Sequence, residues 1–547
     1  MRRWNGWGDD TVQYLLPTGA LEWLAAQIGP SAPPQDVAFE QAVRSVPPSH
    51  LPDHPLIHTD AADRLRHARG QSLPDWVALR SGRIGAFPAG VAYPETEEDI
   101  RTLFAYARQS GVVLIPYGGG TSVVGHINPQ PDGPPALTVD LLRMSDLIDL
   151  DEISRLATFG AGVRGPHLEA ALRAHGYTLG HFPQSFEYST LGGWVATRSS
   201  GQQSLHYGRI EHLFAGGLML TPAGDLKMNP YPASAAGPDV RQMVLGSEGR
   251  MGVLTRAVVR ISPLPEAEQF HGVFFRTWEQ GVHAVREMVQ ALLPLSMLRL
   301  SNGAETEATL ALAGHKRLVD YAHRGLDALG YRRHEKCMLI WGATGRADAV
   351  HRAVRQAVSI ARRHGGLYTG QYMGRLWRKS RFRTPYLRNS LWEHGYALDT
   401  LETIVPWADV LPTAEAIIGA LRGALTEVEE RVYVFAHLSH LYPTGASIYV
   451  TFIFRVMPDP DQTLEHWKRL KRAGSEAVVA HGGTISHQHG VGTDHKPYLE
   501  AEKGPLGMAL IRSVAQQCDP DGILNPSTLF DAASEVPGGS HHALWRT

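Results

Sequence analysis

From about residue 83 to residue 265, apolar and polar positions follow alternating helix and strand periods. Thr96 and the three acidic residues after it precede apolar positions at helical spacing, namely Ile100, Leu103, Phe104 and Ala107. This pattern predicts an N-capped amphipathic helix. The apolar run 112–115 then predicts a buried strand, 163–175 a second helix and 250–261 a further strand. Such alternation predicts an α/β domain over 83–265.

The pattern changes on both sides of this domain. Residues 1–82 combine short helical segments with proline-rich breaks, which predicts a helical N-terminal extension. Residues 266–480 interleave helix and strand patterns, which predicts a second, α+β domain. Its predicted helices are 282–293 and 347–363, and its predicted strands are 337–341 and 446–454. A C-terminal segment, 481–547, contains a predicted helix over 499–518.

Composition excludes several classes of protein. The chain has 547 residues, 52 Lys and Arg against 54 Asp and Glu, and therefore no basic surplus for binding nucleic acid. Its two cysteines, Cys337 and Cys518, are too few and too distant for a disulfide framework. We find no signal peptide, peroxisomal tripeptide or apolar run long enough to span a bilayer. We expect a cytoplasmic protein with at most peripheral membrane contact.

Three glycine-rich segments stand out as candidate ligand loops. Gly118, Gly119 and Gly120 directly follow a predicted strand, and loops of this kind either cradle an anion such as a pyrophosphate or form a plain turn. The segment does not match the GxGxxG or P-loop patterns. Segment 182–208 is predicted to be a long functional loop without regular structure, and 245–255 is a third glycine-rich segment. Together they could enclose a large ligand.

The densest cluster of chemically active side chains is 485–492. If this segment is extended, His487 and His489 lie on one face, where they could transfer protons or contact a substrate. A metal site is disfavoured, because no acidic ligand stands at a recognisable spacing, and a surface or core role for the histidines stays open. We expect no metal.

Several motifs together resemble one family of flavoproteins. They are 3–8 (RWNGWG), 189–195 (STLGGWV), 208–211 (GRIE), 237–239 (GPD), 246–249 (GSEG) and 486–492 (SHQHGVG). In these motifs the chain resembles the flavoproteins of the vanillyl-alcohol-oxidase type and, within them, the alkyldihydroxyacetonephosphate synthase family. The resemblance implies an α+β fold: a two-part α/β FAD-binding domain at 83–265, an α+β cap or substrate domain at 266–480, and a C-terminal segment that returns to the active site.

The resemblance also implies roles for individual residues. Arg388 would bind the substrate phosphate, and Tyr449, His487, His489 and Arg299 would be catalytic. The position between the two histidines is Gln488, where the family pattern has a third histidine. FAD would be held by Pro116, Tyr117, Gly118, Gly119, Gly120, Thr121, Ser122, Gln184, Ser185, Phe186, Glu187, Tyr188, Ser189, Thr190, Thr197, Arg198, Ser199, Ser200, Glu248, Gly249, Arg250, Met251, Gly252, Val253 and Leu254.

The implied reaction is a group exchange without net redox, in which the acyl group of acyl-dihydroxyacetone phosphate is replaced by a long-chain fatty alcohol to form an ether. The implied partners are these lipid substrates and a second copy of the chain, because the family expectation is a homodimer. The alternative is an FAD-linked dehydrogenase of a D-2-hydroxy acid such as lactate or glycolate, since 489–526 has features of such enzymes. In that case Arg388 would bind a carboxylate.

Overall fold

The computed structural model describes residues 2–312 and 324–531. Their longer helices are Thr18–Ile28, Phe39–Arg44, Ala61–Arg66, Leu73–Ser81, Glu97–Ser110, Gly165–Ala174, Leu191–Thr197, Trp278–Gln290, Gly303–Leu312, Ala347–Arg363, Tyr372–Ser380, Thr384–Glu393, Val410–Gly423, Pro460–Ala480 and Leu499–Cys518. Four-residue helices are Ser204–Tyr207, Ile210–Leu213 and Arg241–Val244. The fold is a mixed α+β fold, as predicted.

Two sheets follow the N-terminal helices. A mixed sheet has the order Ile57–His58, Gly90–Ala92, Ala136–Asp140 and Val113–Tyr117, and its last three strands are parallel. An antiparallel sheet has the order Leu147–Asp151, Leu156–Gly160, Val253–Arg260, Phe214–Thr221 and Gly224–Met228. A short pair, Tyr177–Thr178 with Ser262–Pro263, lies beside them.

The predicted helix after Thr96 is confirmed and its boundaries have clear causes. The Thr96 hydroxyl accepts the N–H of Asp99, while the Asp99 carboxylate accepts the N–H of Thr96. This reciprocal capping box satisfies two backbone donors that the first helical turn leaves free. Gly111, in the left-handed region at φ 69°, ends the helix.

The second half of the chain forms an antiparallel sheet of seven described strands. Their order is Leu367–Tyr368, Ala267–Phe275, Cys337–Gly345, Met297–Ser301, Tyr433–Tyr442, Gly445–Arg455 and Tyr396–Pro406. Alternate residues such as Val434, Ala436 and Leu438 pack into the core with four helices, which are Trp278–Gln290, Ala347–Arg363, Val410–Gly423 and Pro460–Ala480. The residues between them, such as Phe435 and His437, face a cavity.

One local expectation was wrong. Segment 182–208 is not an irregular loop throughout, because it contains the helices Leu191–Thr197 and Ser204–Tyr207. Gly192 and Gly193 have low intrinsic helix propensity, so the sequence does not predict the first helix. The small size of Gly192 lets the helix approach Ala161, and the Thr190 hydroxyl caps the helix by accepting the N–H of Gly193. The condition considered for 485–492, an extended segment, is not met, because the segment consists of bends and irregular backbone.

The C-terminal segment returns to the first sheet. Leu524 forms a parallel bridge with Leu114, and the Asn525 amide donates to the carbonyl oxygens of Glu248 and His126, each at 2.8 Å. The predicted helix 499–518 is present, with a kink at Gly504. Residues 532–547 of the predicted segment 481–547 lie outside the described residues. Within the described chain, no helix has both the length and the apolar character needed to cross a bilayer.

Candidate active site

A cavity of about 1300 Å³ lies between the seven-stranded sheet and the glycine-rich loops. Single small-ligand sites are typically about 300–1000 Å³, so this one has room for a large cofactor together with a substrate. Its wall includes many of the predicted FAD-binding residues: Pro116, Tyr117, Gly118, Gly119, Gly120, Thr121, Ser122, Gln184, Ser185, Ser189, Thr190, Thr197, Ser199, Ser200, Glu248, Gly249, Gly252 and Leu254.

The loop after strand Val113–Tyr117 has the properties of an anion cradle. A Cβ on Gly119 would lie 1.9 Å from the carbonyl oxygen of Tyr188, so only glycine fits there. Within the described residues, the N–H groups of 119–122 donate to no protein acceptor. Unused backbone donors on a glycine loop suit the pyrophosphate of a dinucleotide cofactor. The residues present therefore fit FAD.

Seven predicted FAD-binding residues do not line the cavity. Phe186, Met251 and Val253 are core residues. Glu187 and Tyr188 bond the Tyr386 hydroxyl, Arg198 ends a helix and bonds the carbonyl of Leu245, and Arg250 bonds the carbonyl of Leu524. These side chains hold the loops in place, because adjacent residues of a loop point in different directions.

Four neighbouring strands bring one row of residues to the cavity side of the sheet. Ser301, His437, Tyr449 and Glu402 are successive partners across strands Met297–Ser301, Tyr433–Tyr442, Gly445–Arg455 and Tyr396–Pro406. Arg299, two residues before Ser301, lies on the same face. Side chains from distant parts of the chain thus meet in one row.

Tyr449 is held in this row by its ring and its hydroxyl. The ring stacks on His437 with centroids 4.8 Å apart, and the hydroxyl donates to Thr400 Oγ1 at 3.2 Å. Burial, with the nearby charge of Glu402, raises the pKa of Tyr449 above its ordinary value. The side chain is therefore a neutral phenol near pH 7 and can donate a proton.

The two predicted histidines occupy different positions. His489 lines the cavity, whereas His487 lies behind the wall with only 5% of its surface exposed. Both approach the fully buried carboxylate of Glu402, with His489 Nδ1 at 3.6 Å and His487 Nδ1 at 3.8 Å. Burial by itself would raise the pKa of Glu402, but the two imidazoles lower it below its ordinary value. Although the segment is not extended, both rings lie near each other because both approach the same carboxylate.

The two predicted arginines differ in how their charges are balanced. Arg299 pairs with Glu305, and although burial favours the protonated carboxyl, His437 and Arg299 lower the pKa of Glu305 to about 2. Arg388 stacks on Trp76, donates to the carbonyl of Gln71 at 2.7 Å and forms no ion pair within the described chain. Its Nη2 is buried without a partner. Because a buried cation needs an anion, Arg388 can bind one from a ligand.

Glu402, His440, Arg209 and Tyr442 were missed by the sequence analysis. They adjoin the histidine loop: Arg209 Nη1 and Tyr442 Oη lie 2.5 Å and 2.8 Å from His487 Nε2, and the rings of His440 and His487 are 5.0 Å apart. Strand alternation in 396–406 could have placed Glu402 on the cavity face. No group of three potential metal ligands occurs among the described residues.

Two family descriptions match the chain. Residues 88–228 match the FAD binding domain, and residues 264–529 match the C-terminal domain of FAD linked oxidases.

Individual proteins are similar over most or nearly all of the chain. Alkyldihydroxyacetonephosphate synthase of Dictyostelium discoideum is 28% identical over 97% of this chain and 94% of its own. A solved structure of alkyldihydroxyacetonephosphate synthase superimposes with a TM-score of 0.81 and 26% identity, covering 96% of this chain and 98% of its own. Glycolate oxidase subunit GlcD of Bacillus subtilis is 24% identical over 82% of this chain and 91% of its own.

Proposed function

We propose that this chain catalyses the reaction of an alkyldihydroxyacetonephosphate synthase. The chain is an FAD-dependent enzyme that combines an FAD binding domain with the C-terminal domain of FAD linked oxidases. It would replace the acyl group of acyl-dihydroxyacetone phosphate by a long-chain alcohol. The similarity to synthases along almost the entire chain carries this proposal. The more distant similarity to a glycolate oxidase subunit makes D-2-hydroxy acid oxidation the alternative outcome.

The cofactor would lie along the glycine loops. The free N–H groups of 119–122 would bind its pyrophosphate. The cavity-lining residues Gln184, Ser185, Ser189, Thr190, Thr197, Ser199 and Ser200, most of which carry hydroxyls, would line the remainder. When bound, FAD supplies a ring that accepts and returns electron density at the reacting carbon, so the exchange needs no external oxidant.

The rest of the cavity suits a phosphorylated lipid. Arg388 offers a buried, unpaired guanidinium to the phosphate. Aliphatic and aromatic side chains cover other parts of the wall and can pack against an alkyl chain, among them Phe274, Met338, Ile340, Leu376, Trp377, Leu398 and Phe435.

Proton transfer would fall to residues beside the reacting carbon. One proton leaves the alcohol oxygen and one is carried off with the fatty acid, so the exchange balances without redox. His489 is in the cavity wall and can accept and return a proton. Tyr449, a neutral phenol, can donate a hydrogen bond to a substrate oxygen.

The test is an anaerobic incubation of the purified holoenzyme with acyl-dihydroxyacetone phosphate and hexadecanol. We expect ether product and free fatty acid by mass spectrometry, with the flavin spectrum oxidised at the end. Absence of ether together with bleaching of the flavin by lactate or glycolate would overturn the proposal in favour of the dehydrogenase.

Peripheral membrane contact is proposed for helix Tyr372–Ser380. The side chains of Tyr372 and Leu376 are 66% and 49% exposed although both also line the cavity. Exposed cations flank them at Arg375, Arg378 and Lys379. Apolar residues among cations suit an anionic lipid surface, which attracts each cation by about 1 kcal/mol.

Sedimentation with vesicles of phosphatidylcholine and phosphatidylserine tests this contact. Leu376→Ser should reduce binding, whereas Leu506→Ser, which removes an even more exposed leucine from helix Leu499–Cys518, should not. Equal binding by both variants would contradict the proposal.

We also propose a homodimer, which the family resemblance implies, and a cytoplasmic location, which the sequence leads us to expect. Light scattering after size exclusion and fractionation of the native host measure these two properties.

A further inference from the structure

Glu402 has no role in the proton transfers proposed above, although it lies beside both loop histidines. Its side chain is fully buried, and it accepts the backbone N–H of Gln488 at 2.6 Å. The Nδ1 atoms of His487 and His489 lie on either side, at 3.8 Å and 3.6 Å. One carboxylate therefore contacts or adjoins three consecutive residues of the histidine loop.

The protonation of His487 follows from its other nitrogen. Arg209 Nη1 lies 2.5 Å from His487 Nε2, and a guanidinium can only donate. His487 Nε2 must therefore accept, which leaves the ring neutral with its proton on Nδ1, the atom that faces Glu402. Burial also lowers the pKa of His487, which favours the same neutral state.

His489 is arranged in the opposite way. Its Nδ1 faces Glu402, while its Nε2 has no hydrogen-bond partner in the described part of the chain and its side chain is 18% exposed. The ring also contacts Tyr449 edge-on, with centroids 5.6 Å apart. Its Nε2 is thus left for a ligand in the cavity.

Other titratable or charged groups surround this pair from every neighbouring element. They are His437, His440 and Tyr442 on strand Tyr433–Tyr442, Tyr449 on strand Gly445–Arg455, Arg209 with Glu211 before strand Phe214–Thr221, His495 after the histidine loop, and Lys471 on helix Pro460–Ala480. Glu402 is the carboxylate that adjoins both loop histidines among the described residues.

We propose that Glu402 is the positioning residue of the histidine loop: its negative charge orients His489 for proton transfer, while Arg209 fixes His487 as a neutral support that carries no proton to the substrate. This inference rests on the proposed function for the identity of the reaction. Of the two histidines it assigns proton transfer to His489 only, whereas the sequence analysis treated both as catalytic.

Two substitutions separate charge from shape. Glu402→Gln keeps the acceptor for the Gln488 N–H but loses the charge, whereas Glu402→Asp keeps the charge and loses one methylene. We expect kcat to fall about 100-fold in E402Q and less in E402D, with little change in KM for the acyl substrate. If Glu402 only held the loop's shape, E402Q would be the more active variant, and that order would overturn the proposal.

Glu169→Gln is the matched control. Glu169 is also buried and accepts backbone N–H groups, from Leu179 and Gly180, but it does not line the cavity. Its kcat should stay near the wild-type value. Flavin absorbance and Tm, measured on every variant, show whether each one is folded and loaded with FAD.

A second readout does not depend on activity. The measurement is the ¹⁵N spectrum of holoenzyme labelled at histidine, in which His487 is assigned by the loss of its signals in His487→Gln. From pH 6 to 8, His487 should show a protonated Nδ1 and an unprotonated Nε2. A doubly protonated His487 in that range, or a proton on Nε2, would overturn the assignment. If the wild type forms no ether, the proposed function fails, while this spectrum still decides the protonation of His487.

Discussion

At the scale of single residues, two arginines of the same cavity wall differ in whether a neighbouring carboxylate balances their charge. Arg299 has a carboxylate partner in Glu305, whereas Arg388 is surrounded by Trp76 and a backbone carbonyl. The charges of Asp399 and Asp75 act on Arg388 without forming an ion pair with it. A ligand anion therefore completes the environment of Arg388.

Arg388→Gln should raise KM for acyl-dihydroxyacetone phosphate by roughly 10–100-fold, because a hydrogen bond to a charged group contributes about 1.5–3 kcal/mol. The effect on kcat should be smaller. Steady-state kinetics measure both, and Arg346→Gln, which removes a mostly exposed arginine, serves as the control. An unchanged KM would exclude Arg388 from phosphate binding.

Tyr449→Phe should lower kcat by about 100-fold while it leaves Tm nearly unchanged. The phenyl ring keeps the stack on His437, and the lost hydroxyl bonds only Thr400 among the described residues. Single-turnover kinetics and a thermal melt provide the two measurements. A large fall in Tm with normal turnover would instead indicate a purely structural tyrosine.

At the scale of elements, the loop of glycines at 118–120 depends on close backbone contact. A Cβ on Gly119 would overlap the carbonyl of Tyr188 at 1.9 Å, so Gly119→Ala must displace one of the two loops that line the FAD cavity.

We expect Gly119→Ala to weaken FAD binding, measured as flavin released during dialysis or as fluorescence of free FAD on dilution. Gly419→Ala, in the exposed part of helix Val410–Gly423 with no atom within 4 Å of the new Cβ, should retain FAD and stabilise the helix by up to about 1 kcal/mol. FAD retention by the Gly119 variant would show that the loop tolerates displacement.

At the scale of the whole molecule, Glu248 joins the two halves of the chain. From the glycine-rich turn before strand Val253–Arg260, its carboxylate accepts the N–H groups of Val491 and Gly492 in the C-terminal segment. Burial raises its pKa to about 7. The protonated form is thus favoured by folding, and its contribution to stability is complete below about pH 4.5 and lost as the pH rises through about 7.

Glu248→Gln should therefore become more stable relative to wild type as the pH rises. Glutamine cannot titrate, and wild type should lose up to about 3 kcal/mol at about 1.4 kcal/mol per pH unit. The change of one acceptor to an amide adds an offset that is independent of pH. Melting curves with saturating FAD at pH 5 and pH 8 give the comparison, and a Tm difference that is equal at both pH values would contradict the prediction.

The sequence by itself determined the features that depend on neighbouring residues. The capped helix at Thr96, the helix Ala347–Arg363 and the strands at 113 and 445 were predicted because capping, helical period and apolar runs are local properties. The motif set also identified an FAD-dependent enzyme, a conclusion that the comparisons confirm. The helix Leu191–Thr197 escaped prediction because its glycines serve tertiary contacts rather than helical propensity.

Only the tertiary structure decided which side chains meet. Glu402 lies 85 residues before His487 in the chain, and sheet register together with the return of the C-terminal segment places it under both histidines. Burial and side-chain direction also decide three other features. They separate His487 from the cavity, leave Arg388 unpaired and give seven predicted cofactor residues a supporting role. These properties arise from packing between distant segments, which local sequence patterns do not encode.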